Sequence, residues 1–166
     1  DGGANFVDGG AGDDVIWAGD GENTLYGSAG EDLFLVRTGT NIIDGGAGND
    51  TITLSDDVQG FGSNIVTTGA GNDVIVFNPN VNTAQAVVTD FEQGVDSLGL
   101  VAVADPIGPF DGAGVLEELF NLLTITQQSG VTTVTSSAVP TLNIQLDGIF
   151  NLTINDFPLV PVFLDY

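Results

Sequence analysis

Glycine recurs at every ninth residue along the first part of the chain, at Gly3, Gly12, Gly21, Gly30, Gly39 and Gly48, and resumes that spacing at Gly62 and Gly71 after a single slip. A glycine at fixed phase marks a backbone position that must reach positive φ or lie against another segment, as in a tight turn. Four residues after each glycine stands a large apolar side chain: Val7, Ile16, Leu25, Phe34, Ile43, Ile52, Val66 and Ile75. A turn followed by a short strand with one inward side chain is too small to fold alone. Such units must stack and build one continuous core from their neighbours. The slip is Leu54-Ser-Asp-Asp-Val58, inserted between the units 45–53 and 59–67, and reads as a surface bulge or loop.

In frame, the unit is G-G-x-G-x-D-x-U-x with U apolar, and Gly9-Gly-Ala-Gly-Asp-Asp-Val-Ile-Trp17 is a clean copy. This resembles the nonapeptide of the RTX (repeats-in-toxin) family, and the resemblance implies a calcium-bound parallel β-roll in which two units make one coil. The sixth position reads Asn5, Asp14, Asn23, Asp32, Asn41, Asp50, Asn64 and Asp73, an unbroken alternation of amide and carboxylate. With two units per coil, every carboxylate falls on one edge of the roll and every amide on the other.

Calcium prefers six to eight hard oxygens from carboxylates and carbonyls, and stacked glycine-rich turns supply both. As in the family, metal sites are expected between Asp14 and Asp32, between Asp32 and Asp50, and between Asp50 and Asp73. The adjoining turns contribute Gly9, Gly12, Gly27, Gly30, Gly45, Gly48, Gly69 and Gly71. A single Gly-Asp cluster would be an ordinary solvated turn. Eight units in one frame exclude that reading. On the amide edge, stacked Asn side chains either bond one another in a ladder or ligate calcium weakly. Residues Ala4, Glu22, Thr40 and Ser63, which precede the Asn column, form no regular ladder of the kind used by ice-binding members.

The 166 residues carry 23 acidic side chains, one basic residue, Arg37, and no histidine, for a formal charge of −22. A chain so charged repels itself and has almost no internal cation to pair with. Nucleic acid and anionic membrane surfaces are poor partners, because phosphate binding needs Lys and Arg. Divalent cations suit it. The chain has no cysteine, which rules out disulfides and thiolate metal sites. No apolar run is long enough to span a membrane. The chain begins inside a repeat rather than at a methionine or signal peptide, and so reads as a piece or processed product of something longer.

Side chains flanking the inward position point outward. After the charged turns these are Val15, Trp17, Leu33, Leu35, Thr51, Thr53, Val74 and Val76, a large apolar stripe that either the second half of the chain or another molecule covers. The opposite sheet exposes Asp8, Thr24, Tyr26, Asp44 and Thr67 with Phe6, Ile42 and Ile65, and looks more solvated.

Glycine spacing stops at Phe77-Asn-Pro-Asn80, a turn closing the array, so residues 1–76 are read as the roll and 77–166 as a capping and secretion region packed on it or extending it. The segment Val87–Leu100 contains Asp90-Phe-Glu-Gln-Gly-Val-Asp96, which resembles the DF-x-x-G-x-D cap that follows the repeats in many RTX proteins. There Asp90 and Asp96 serve either as terminal calcium ligands or as turn and capping groups. A short helix is expected over Val115–Leu123, with Glu117 and Glu118 near its start. Alternating runs at Leu122–Thr126, Val131–Ser136 and Thr141–Leu146 predict half-buried antiparallel strands. The apolar end, Pro158–Tyr166, resembles a type I secretion signal or else adds as a strand to a neighbour.

The fold class is therefore all-β: a calcium-bound parallel β-roll followed by a mainly antiparallel cap with one short helix. No nucleophile–base constellation is present, so no catalytic or organic-cofactor site is expected. Calcium is the expected cofactor, and the location is secreted, extracellular or cell-surface. Two roles fit. The chain is a building block of an extracellular surface, matrix or filament assembly that self-associates, or it is the calcium-folding C-terminal module of a larger exported enzyme or toxin.

Overall fold

The structure, a computed structural model, describes residues 2–54, 62–77, 85–101, 117, 119–138 and 142–160. Each pair of nonapeptides forms one long and one short strand. The long ones are β1 (Ala4–Ala11), β3 (Glu22–Ala29), β5 (Thr40–Ala47) and β7 (Ser63–Ala70); the short ones are β2 (Val15–Ala18), β4 (Leu33–Val36), β6 (Thr51–Leu54) and β8 (Val74–Phe77). Long strands stack parallel in one sheet and short strands in the other. Val7, Leu25, Ile43 and Val66 lie in register in the first sheet, and Ile16, Phe34, Ile52 and Ile75 in the second. Except for Val7, these apolar side chains are buried between the sheets and form the roll's core. The sequence period has become the spatial repeat.

Leu54 corrects the expected slip. It pairs with Val36 at the end of β6 and is buried, so it belongs to the strand and the extra residues enter after it. Ser55 to Val58 lie outside the described residues.

Five of the fourth-position glycines, Gly21, Gly30, Gly39, Gly48 and Gly71, meet two demands together. Gly48 and Gly71 have φ of +142° and +151°, and a Cβ on either would overlap the carbonyl of the glycine one coil before it, Gly30 or Gly48. Any side chain would be strained by the backbone and would also hold the coils apart.

Parallel stacking continues beyond residue 76, where the glycine repeat ends. Strand β9 (Gln85–Val88) joins β7, and β10 (Ser97–Val101) joins β8, making a further coil without glycine-rich turns. The expected antiparallel strands follow as β11 (Leu123–Gln128), β12 (Val131–Ser136) and β13 (Asn143–Asp147). Strand β13 pairs with β9 in the parallel sense, so the antiparallel meander continues the long-strand sheet, which reaches eight strands. Strand β14 (Leu159–Val160) adds parallel to β10 and completes a six-stranded sheet. Leu142, Ile144 and Leu146 are buried, as their alternation requires. Two edge-to-face aromatic pairs, Phe91–Phe150 and Phe120–Phe157, each with centroids 5.3 Å apart, fasten this half together.

The expected helix is described at Glu117 and Leu119–Asn121. Its remaining residues apart from Leu122 and Leu123, the turn after Phe77 and the tail after Val160 lie outside the described residues. The outer apolar stripe is covered unevenly: Val76 is buried, Leu33 and Leu35 are half-buried, and Val15 and Trp17 are 60% and 72% exposed at the first coil. On the other sheet Phe6, Ile42 and Ile65 are exposed.

Gly48→Ala should lower the melting temperature of the calcium-loaded chain, since positive φ alone costs roughly 1–2 kcal/mol for an L-residue and the overlap with Gly30 adds to it. Gly2→Ala, where an added Cβ meets nothing within 4 Å, should leave the melt unchanged. Equal melting of the two variants would contradict this account of the turn.

Candidate metal centre

Each aspartate of the sixth position stands just before a short strand and is tied to the next coil by its own backbone. The main-chain N–H of Asp14 donates to Asp32 Oδ1, that of Asp32 to Asp50 Oδ1, and that of Asp50 to Asp73 Oδ1, each at 2.8 Å. Asp73 N–H donates to Asp96 Oδ1 at 3.2 Å. One oxygen of Asp32, Asp50 and Asp73 is thus fixed and the other is turned inward. Oδ2 of Asp14, Asp32, Asp50 and Asp73 is buried and has no hydrogen-bond partner.

A buried, ionised oxygen without a partner is costly, and a chain with one basic residue cannot neutralise a column of them. The turn glycines show what can. A Cβ on Gly9 would sit 2.7 Å from Asp14 Oδ2, and one on Gly45 would sit 2.5 Å from Asp50 Oδ2. At Gly27 the same point also touches the carbonyl of Gly45, and at Gly45 that of Thr68. An unpaired carboxylate oxygen and a main-chain carbonyl of the following coil therefore converge beside a residue with no side chain. Among the described residues no group of three or more acidic side chains gathers into a cage. The donor set is instead mixed carboxylate and carbonyl, all hard oxygen, which fits calcium and offers nothing to a metal that needs imidazole or thiolate.

Of the expected residues, Asp14, Asp32, Asp50, Gly9, Gly27 and Gly45 are brought together in this way. Gly12, Gly30 and Gly48 lie at the turn apices, where their N–H groups donate to Ala29, Ala47 and Ala70 carbonyls at 2.8–2.9 Å. Gly71 lies at the apex of the next turn. Gly69 N–H is taken by Asp90 Oδ2 at 2.9 Å.

Burial pushes the carboxyls of Asp50 and Asp96 up, and that of Asp73 up to about 6; the neighbouring carboxylates add to the rise, and main-chain hydrogen bonds oppose it. Across roughly 5 Å between coils, in an effective dielectric of about 20, each adjacent ionised pair repels by about 3 kcal/mol.

The amide edge closes by itself. Asn5 Nδ2 donates to Asn23 Oδ1 at 2.7 Å, Asn23 to Asn41 and Asn41 to Asn64 at 2.8 Å, and Asn64 ends the ladder on the Gln85 carbonyl at 3.4 Å. Of the two roles open to Asp90 and Asp96, the geometry is that of capping. Asp90 Oδ1 accepts Thr68 N–H at 2.8 Å, and Asp96 Oδ2 accepts Glu92 N–H at 2.8 Å. Asp96 also continues the aspartate column, which the glycine frame does not reveal. Its signal was the spacing: Asp96 follows Asp73 by 23 residues, as Asp73 follows Asp50.

Asp50→Asn should weaken calcium binding by roughly 10- to 100-fold or more in a titration followed by circular dichroism. In chelator it should be no less folded than the parent, because a buried unpaired charge has gone. A second expectation concerns pH. A carboxyl whose folded pKa lies above its unfolded value binds protons more tightly when folded, so the metal-free roll gains stability as pH falls from about 6 toward 4 and loses it as pH rises through that window. With calcium the sign reverses, because ligating oxygens must be deprotonated, and the calcium needed for half-folding should rise below about pH 6.

The model of the RTX calcium-binding nonapeptide repeat, in four copies, matches residues 1–34, 37–57 and 60–78. No curated protein matches the chain. Among solved structures, the AlgE6R3 subunit of the Azotobacter vinelandii mannuronan C5-epimerase is 19% identical with a TM-score of 0.44, over 93% of this chain and 77% of that one. The AlgE6R2 subunit of the same enzyme is 18% identical with a TM-score of 0.37, over 92% and 94%. The extracellular lipase LipA of Serratia marcescens is 14% identical with a TM-score of 0.40, over 95% of this chain and 40% of the lipase. The glycine and aspartate columns within residues 1–78 are thus matched by the calcium-binding RTX nonapeptide repeat, and in this chain they stack as parallel coils.

Proposed function

We propose that the chain is an extracellular structural module whose roll folds when calcium binds and which then takes part in a surface, matrix or filament assembly. The observation that carries the folding step is the set of four buried carboxylate oxygens without partners in a chain with one basic residue. Without calcium, repulsion along the column and the unpaired oxygens oppose stacking. When bound, calcium supplies positive charge to oxygens that have no hydrogen-bond partner among the described residues, and its binding energy becomes folding energy. Low calcium inside a cell and high calcium outside make the roll a location switch. Residues 1–76 carry the metal, and 77–166 extend and cap the roll. The chain acts as a scaffold rather than an enzyme, since it has neither histidine nor cysteine to serve as base or nucleophile.

Assembly is supported by the outer faces of the two sheets, where Ile42 and Ile65 on one and Val15 and Trp17 on the other are exposed. In a second reading, the chain is the C-terminal module of a larger exported enzyme or toxin, built on the same calcium-binding repeats.

A calcium titration followed by circular dichroism and light scattering, with magnesium as control, tests both steps. Calcium alone should give a cooperative gain of β signal, and scattering should rise with protein concentration once the roll has formed. A chain already folded in chelator defeats the folding switch, and a calcium-loaded monomer over a wide concentration range defeats assembly.

A further inference from the structure

The two edges of the roll share one nonapeptide frame and close it by different chemistry. On the aspartate edge the first residue of each turn is Gly9, Gly27 or Gly45, and the register places Thr68 at the same point of the next coil. On the asparagine edge the first residue is Ala18, Val36, Leu54 or Phe77, and all four side chains are buried. The position that glycine holds on one edge is held by buried apolar side chains on the other. The amides there are also complete. Asn23, Asn41 and Asn64 each accept a hydrogen bond from the preceding coil and donate one onward. None of their side-chain atoms is among those left buried without a partner. A cation on that edge would have to break a buried amide bond and would gain no negative charge in return.

The aspartate edge is itself not uniform. At Gly9, Gly27 and Gly45 the point where a Cβ would stand lies against the unpaired oxygen of Asp14, Asp32 or Asp50. In the next coil Thr68 brings a real Cβ to that point, and it is wholly buried. Its hydroxyl lies 3.1 Å from Asp90 Oδ1 and 3.5 Å from Asp96 Oδ2. Hydrogen bonds from Thr68, Gly69 and Glu92 engage both oxygens of Asp90 and, with Asp73 N–H, both of Asp96.

We propose that this chain loads calcium on one edge only and takes three ions, between Asp14 and Asp32, between Asp32 and Asp50, and between Asp50 and Asp73. The asparagine edge takes none, and Thr68 closes the fourth position of the aspartate edge. The proposal rests on the calcium-folding reading and deepens it by naming the number and placement of the ions.

Equilibrium dialysis of the full chain against labelled calcium, with magnesium in excess to displace ions held loosely by surface acids, should count three. Nuclear magnetic resonance of the calcium-loaded chain should show the Asn23, Asn41 and Asn64 side-chain NH2 groups protected from solvent exchange. Thr68→Gly should raise the count to four. Any other count for the parent chain, rapid exchange of those amides, or a folded Thr68→Gly chain that still holds three ions overturns the proposal. Should the glycine variant fail to fold, the parent's count and amide spectrum decide alone. A parent chain that binds no calcium at all removes the calcium-folding reading along with it, whereas a count of four or more removes only the number and placement of the ions.

Discussion

Every coil of this roll buries a carboxylate at the start of its short strand, and the rest of the structure depends on how that charge is met. The backbone N–H of the previous coil takes Oδ1, which clamps the coils together and at the same time directs Oδ2 into the interior. The clamp and the penalty are thus one arrangement. With 23 acidic residues against a single basic one, neutralisation has to come from outside the chain. Stability of such a roll therefore depends on pH and on the cations available to it.

The asparagine column shows the alternative solution to the same geometric problem. An amide carries both a donor and an acceptor, so identical side chains one coil apart can satisfy one another without limit, whereas a carboxylate has only acceptors. Replacing one kind of residue with the other converts a self-sufficient edge into a metal-dependent one. Keeping both in strict alternation leaves a roll with one edge closed by its own hydrogen bonds and another that carries unpaired carboxylate oxygens. Such a design confines the charge of the core to a single line.

The second half grows out of the sheets rather than beside them. Strand β9 continues the long-strand sheet, and β13, β12 and β11 extend it, while β10 and β14 continue the short-strand sheet. A solenoid must end somewhere, and its last edge exposes both main-chain groups and core. Here Asp90 and Asp96 engage the donors of the last glycine-bearing coil, and Phe91 packs on Phe150 across the join. The capping segment thus meets the last aspartates with main-chain hydrogen bonds at the point where the glycine turns stop. At the first coil Phe6, Val15 and Trp17 are exposed.

How much of this was legible in the sequence follows from what repetition does to distance. In a stack of identical coils, equal positions in sequence become neighbours in space, so the glycine, apolar and aspartate columns, the sorting of amide from carboxylate and the choice of calcium could all be read from a nine-residue frame. The same reasoning placed three antiparallel strands near Leu123–Gln128, Val131–Ser136 and Asn143–Asp147, because alternation of burial is local. Tertiary structure decided what has no period. Leu54 belongs to β6 because it pairs with Val36 and is buried, although the glycine frame sets it outside the repeat. Asp96 enters the aspartate column through a coil that lacks the glycine signal, and β13 joins β9 in parallel though its hairpin partner is antiparallel. Which oxygen of each aspartate is clamped, and which is left without a partner, is set by main-chain hydrogen bonds between coils. Those bonds exist only once the coils are stacked.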